Sequence, residues 1–429
     1  MRVVAAKVVV AVLSLASLAW AASPQFSAQK RIGLKTGDQW EPAVSADNSG
    51  HIFVLYPQYG RVPGCKDCHV PSMLLVASND NGKTWQEPRV MLNSGSGQFD
   101  AQIAVDPADH HTLYAAWLEN RKREVMLARS VDSGQTWAFT IAARSDEQLD
   151  KPALAVRGQN VYLAFNHEEE VWVAVSQDSG RSFFPARVNA ESLAGWSLLG
   201  SAVVDPAGNV YLAWSAYSKA VGARGMVNLY VSRSTDNGKT WTAKRIDNSA
   251  AAPGCEEEEC SEGYLGAQIA VTSDSDGTLY ALWSAGHSSR EPQRIYFSSS
   301  TDGGENWLPR VSVSYAEPGV EHAFPAIAAG SAGDVRIAWM DARNTSPSRK
   351  TPYWNTYYRS SSNGGATWAD EIRLSGYVPG YRYIAKQGFR FPFGDYFGMA
   401  IDSRGDTQVV WGEGLNYQSP GSIWHAMGR

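Results

Sequence analysis

Apolar runs recur in pairs along this chain. Each pair is a run of apolar residues, a turn of polar residues, and a second run ending in an aromatic. The pairs extend from Pro42 to Tyr56, Ile103 to Trp117, Pro152 to Phe165, Ala202 to Trp214, Ile269 to Trp283, Pro325 to Trp339 and Met399 to Trp411. Short apolar runs bounded by turn residues predict strands, so the pairs predict seven hairpins. A third run, of the type Ile295-Tyr-Phe-Ser, follows most hairpins. The reading is all-β.

Third runs lead into a second repeat, Ser-x-Asp-x-Gly-x-Thr-Trp. It occurs as Ser78, Asp80, Gly82, Thr84, Trp85 and as Ser130, Asp132, Gly134, Thr136, Trp137. Further copies begin at Ser176, Ser234, Ser300 and Ser361, with Asn363 for Asp in the last and Phe183 for Trp in the third. Each predicts a turn in which Asp or Asn binds nearby backbone amides and Gly takes a φ that other residues avoid. The six copies resemble the Asp-box, or BNR repeat, of the sialidase superfamily and related β-propellers.

That resemblance implies a β-propeller, and the mismatch of seven hairpins against six boxes bears on its closure. Ile423-Trp-His-Ala begins like a box strand but no box follows it. Phe26 to Arg31-Ile32 repeats the aromatic, Arg, Val or Ile pattern that follows most boxes, as in Trp85 to Arg89-Val90. The N-terminal strand is therefore expected to complete the last blade. The expected fold is a seven-bladed β-propeller of four-stranded blades closed by the N- and C-terminal strands, spanning residues 23–429 as one domain. A closed ring of blades leaves no long open edge. Six blades plus a terminal hairpin is the competing count.

Residues 1–22 read as a signal peptide: Arg2 and Lys7, an apolar run from Val8 to Ala19, then small residues. About a dozen apolar residues are too few to span a ~30 Å hydrocarbon layer as a helix. The expected location is secreted or periplasmic, with no membrane span. The net charge of −5 lacks the basic footprint of a nucleic-acid binder. The expected partner is a carbohydrate or other small ligand, bound by a monomer.

Function on a propeller sits on loops carried by the rigid scaffold. The loops opposite the boxes carry Glu119 and Arg121, Asp341 and Arg343, His167, Trp40, Asp100, Asp150 with Lys151, Arg390, and Asp395 with Tyr396. Carboxylates, arginines and aromatics in that mixture suit a sugar, with Arg pairing to an anionic group. The resemblance implies, for an active enzyme, an arginine clamp on a substrate carboxylate (Arg121, Arg343, Arg390), Tyr396 as nucleophile and Asp341 or Asp100 as acid. The family's first arginine lies two residues before a Pro at the start of a blade. Its counterparts here, Trp40, Phe99, Asp150, Leu198, Leu265, Ala323 and Asp395, include no Arg. The expectation is thus a glycan-binding propeller, with an exo-sialidase-type hydrolase as the alternative.

Four cysteines add a third possibility. Cys65-x-x-Cys68-His69 has the spacing of c-type haem attachment, while Cys255 and Cys260 sit in a similar Pro-Gly-Cys setting without a His. Paired loop disulfides and no cofactor are the expectation; a haem carrier is the alternative. No metal site is expected. Of the sixteen Trp, ten fall on repeat positions, closing boxes or ending second strands, so the aromatic content mostly reports blade packing.

Overall fold

The computed structural model describes residues 24–189, 195–218, 225–252, 266–289, 291–345, 352–376, 394–414 and 421–429. The proposed signal peptide, Arg390, Cys255 and Cys260 lie outside the described residues. Seven antiparallel sheets are arranged as a seven-bladed β-propeller, so the six-bladed count is overturned. Blade two shows the plan: Phe99–Val105, Leu113–Glu119, Glu124–Ser130 and Ala138–Arg144 pair in sequence order. Blade seven departs from it. Its strands Gly398–Ile401, Thr407–Gly414 and Gly421–Gly428 take their fourth partner from Lys30–Arg31 at the other end of the chain, with Lys30 opposite His425 and Arg31 opposite Trp424. Closure by the two ends is as the repeats predict.

The apolar core is layered between blades. Seven clusters of buried residues each join two neighbours: Leu55 and Met73 of blade one pack with Trp117 of blade two, and Trp339 of blade six packs with Leu282 and Phe297 of blade five. The ring is completed where Val410 and Ile423 of blade seven meet Val54 and Leu74 of blade one. Trp117, Trp214, Trp283, Trp339 and Trp411, the ends of the second strands, are all fully buried in these layers.

The boxes fold by their own chemistry and dock on the preceding blade. Ser130 Oγ accepts from Gly134 N at 2.8 Å, and Asp132 accepts from Thr136 N at 2.9 Å and Thr136 Oγ1 at 2.6 Å. The same set recurs at Asp80, Asp178 and Asp236. These bonds stabilise the ionised form and hold the Asp80, Asp132 and Asp302 carboxyls down at about 2. Gly238, at φ 81°, lies against Tyr162 and Val175 of the preceding blade, where a Cβ would meet both at 2.9 Å. Glycine is needed there for conformation and for contact alike.

Candidate functional site

Strand registers define equivalent positions around the ring. Ala46 faces Ile52, and the same hairpin pair is Val105 with Leu113, Val156 with Val161, Val204 with Val210, Ser273 with Leu279, Ala329 with Val335 and Ile401 with Thr407. Five residues before the first member of each pair stand Glu41, Asp100, Lys151, Leu199, Gln268, Phe324 and Tyr396. Thus blades seven, one, two and three present Tyr, Glu, Asp and Lys in succession, while blades four and six present Leu and Phe. The same alignment puts Ala267, rather than Leu265, at the fifth counterpart of the family's first arginine; no counterpart is Arg.

Backbone geometry singles out four of these positions. Glu41, Asp100, Lys151 and Phe324 have φ of 55°, 58°, 45° and 57°. In blades two, three and six the ladder register shifts across the residue. An extra residue in one strand re-aims a side chain, and left-handed backbone at a non-glycine residue is uncommon enough to mark a site.

The polar side chains of four successive blades meet. Lys151 Nζ lies 2.6 Å from Asp395 Oδ2, 3.4 Å from Asp100 Oδ1 and 3.9 Å from Glu41 Oε1. Lys122 Nζ closes the other side, 2.8 Å from Asp150 Oδ1 and 3.3 Å from Asp100 Oδ2. The Glu41 carboxyl faces that of Asp395 across the Lys151 ammonium. Trp40 stacks on Tyr59 at 4.1 Å, and the Lys151 ammonium lies 5.5 Å from the centre of the Tyr396 ring.

Burial separates the carboxyls chemically. Desolvation, then Asp395 and Asp100, pushes Glu41 well above the usual carboxylate range, favouring its protonated form. Burial alone would also raise Asp100, but Lys122 and Lys151 carry it below its ordinary value. Tyr396 is pushed up by burial and then by Glu41 and Asp100, which keeps its phenol protonated. Lys151 is raised despite its burial, because Asp395, Asp100 and Glu41 surround it.

A cavity of about 210 Å³ runs along the propeller axis, walled by the first strands of all seven blades. Lys151, Asp395, Tyr396 and Gln268 line it. Among the described residues no group of three or more His, Cys, Asp or Glu is placed to hold a metal ion, and no helix is long and apolar enough to cross a membrane.

Sequence and comparison agree on kinship. Residues 5–246, more than half of the chain, match the model of the BNR repeat-like domain. The chain belongs to the BNR repeat-like domain family. No curated protein matches it. This BNR-repeat propeller aligns with a protein of unknown function from Dyadobacter fermentans at TM-score 0.53 and 14% identity, covering 95% of this chain and 99% of that one. It aligns with an ulvan lyase of polysaccharide lyase family PL25 at TM-score 0.51 and 11% identity, covering 92% and 95%. A sialidase from Streptococcus pneumoniae, solved as the K499G mutant, aligns at TM-score 0.49 and 13% identity over 80% and 70%. At such identities the likeness is one of fold.

Of the residues singled out in the sequence, Trp40, Asp100, Asp150, Asp395 and Tyr396 converge at the channel mouth of this BNR-repeat propeller. The others stand elsewhere. Glu119 accepts the Trp117 indole N–H at 3.1 Å and Asp341 that of Trp339 at 3.0 Å, a carboxylate two residues on satisfying a buried donor of the same strand. Glu413 does the same for Trp411 at 2.8 Å. Arg343 is held by Asp341 at 2.5 Å and by Glu371, and its guanidinium lies 3.8 Å from the Tyr357 ring centre. His167 pairs with Glu147 at 2.8 Å, and Arg121 is exposed. Arg343 and Tyr396 share no contact partner among the described residues.

Glu41, Tyr59 and Lys122 were not legible as site residues. For Glu41 a signal existed: Glu41-Pro42 and Lys151-Pro152 precede the same strand position. Lys122 reaches Asp100 only through tertiary placement. Cys65 and Cys68 are joined to each other, leaving neither sulfur free for a thioether and correcting the haem alternative.

Proposed function

We propose that this protein is an exported binding propeller that takes a glycan at the mouth of its axial channel and does not cleave it. The carrying observation is the meeting of Lys151, Asp395 and Tyr396 on the cavity wall, backed by Glu41, Asp100 and Lys122. Buried polar groups with a few exposed partners, framed by apolar wall, are what a small-ligand site requires. The Cys65–Cys68 disulfide and the signal-like N-terminus support export. Catalysis of sialidase type is disfavoured by the tight pairing of Arg343 with Asp341 and Glu371 and by a Tyr396 phenol held protonated.

The purified chain, labelled and applied to a printed glycan array alongside Met399→Trp, tests binding; Met399 lines the cavity and is no member of the Lys151 ion pairs. Retention by the parent and its loss in the variant is expected. Fluorogenic glycosides, sialosides included, should give no turnover. Turnover abolished by Arg343→Ala or Tyr396→Phe overturns the binding reading in favour of an enzyme.

A further inference from the structure

We infer that the channel mouth takes the uncharged, hydroxyl-bearing end of a glycan through adjacent hydroxyls bridged by Lys151 and Asp395, and excludes sugars bearing a carboxylate. The inference rests on the glycan reading and adds the class of sugar.

Three features of the site carry it. Lys151 Nζ and the Asp395 carboxylate stand 2.6–2.8 Å apart and both line the cavity, placing a donor-only group beside an acceptor-only group. A hydroxyl both donates and accepts, so a pair of neighbouring hydroxyls matches that arrangement, one accepting from Lys151 and the other donating to Asp395. Each lysine is also already committed. Lys122 faces Asp100 and Asp150, and Lys151 faces Asp395, Asp100 and Glu41. Among the described residues, three aspartates stand against two lysines at the mouth, and no described arginine lines the cavity. A carboxylated sugar would enter beside Asp395, where both described lysines are already paired. Like charge placed against the wrong ligand is how such sites discriminate.

The wall and the size agree. Leu198, Leu199, Ile269, Pro325, Phe397 and Met399 give an apolar surface that suits the C–H face of a sugar ring. At about 210 Å³ the cavity is smaller than the several hundred Å³ usual for larger ligands. Seven strands close its circumference, so a polymer can present only its end.

Saturation-transfer NMR on the full chain decides the matter, with methyl glucoside, methyl galactoside and methyl mannoside as neutral probes and N-acetylneuraminic acid and glucuronic acid as charged ones. At least one neutral glycoside is expected to receive saturation, falling at least tenfold in Asp395→Asn and in Met399→Trp; the acids should receive none. Met399 takes no part in the Lys151 ion pairs, so loss of binding in Met399→Trp does not report removal of one of their members, and circular dichroism checks both folds. Saturation of an acid, lost in Lys151→Met, overturns the charge assignment while leaving the glycan reading in place. Silence from all five probes, together with an unlabelled glycan array, overturns both.

Discussion

The two rims of this propeller use the same residue types in opposite ways. At the box rim, Asp80, Asp132 and Asp302 are solvated, and each carboxyl is held at about 2 by hydrogen bonds from its own turn. At the channel mouth, Glu41, Asp100 and Asp395 are buried and share Lys151 of a different blade, while Asp100 also meets Lys122 of its own. Burial pushes Glu41 up, while the lysines pull Asp100 down. Box carboxylates are interchangeable because each completes a local turn. Mouth carboxylates are individual because each depends on which neighbour the ring brings to it. Regularity here is architecture, and departure from the repeat marks the place where we propose that a ligand fits.

The strongest way to break that contrast is Lys151→Met. It leaves Asp395, Asp100 and Glu41 facing one another without their shared cation, and removing one partner of a buried ionic group costs about 3–5 kcal/mol. Urea denaturation should register this loss, and adding Asp395→Asn should recover part of it. A double variant no more stable than the single one would show that Lys151 does not compensate the carboxylates.

The rims should also respond oppositely to pH. The depressed box carboxyls contribute stability that is fully present above the unfolded value near 3.9 and is lost as pH falls through about 2. Glu41 works in the other direction. With its folded pKa raised, the native state binds the extra proton, so stability declines as pH rises above the unfolded value near 4.3, by up to about 1.4 kcal/mol per pH unit. Glu41→Gln should flatten that decline and leave the acid limb unchanged. An unaltered profile above pH 5 would mean that Glu41 ionises normally.

The smallest expected effect lies at the box rim. Gly134 has φ 76°, and a Cβ there meets nothing closer than 3.4 Å, so Gly134→Ala pays only for the left-handed backbone, about 1–2 kcal/mol. Gly238→Ala should cost more, since its Cβ meets Tyr162 and Val175 of the neighbouring blade at 2.9 Å. Equal melting temperatures for the two variants would remove the docking contact from the account.

The legibility of the chain follows from the same physics. Blade count, the box turns and closure by Lys30–Arg31 were readable because each is written in residues close in sequence or repeated at a fixed place. The carboxylates after the second-strand tryptophans were visible as a pattern, yet their duty as acceptors of Trp117, Trp339 and Trp411 needed coordinates. Asp100, Asp150, Asp395 and Tyr396 could be placed on the correct rim from the sequence. That Lys122 and Lys151 sit between them could not, because these contacts join residues as far apart as Lys151 and Asp395.

What the sequence by itself determined is therefore the periodic part of the protein: strands from short apolar runs, turns from Asp and Gly, and a ring from the one strand that the last blade lacks and the N-terminus supplies. Only the tertiary structure decided the site. Closing seven blades brings one residue from each to the axis, and burial there shifts the carboxyls of Glu41 and Asp100 in opposite directions according to their neighbours. A linear sequence specifies those neighbours but does not display them.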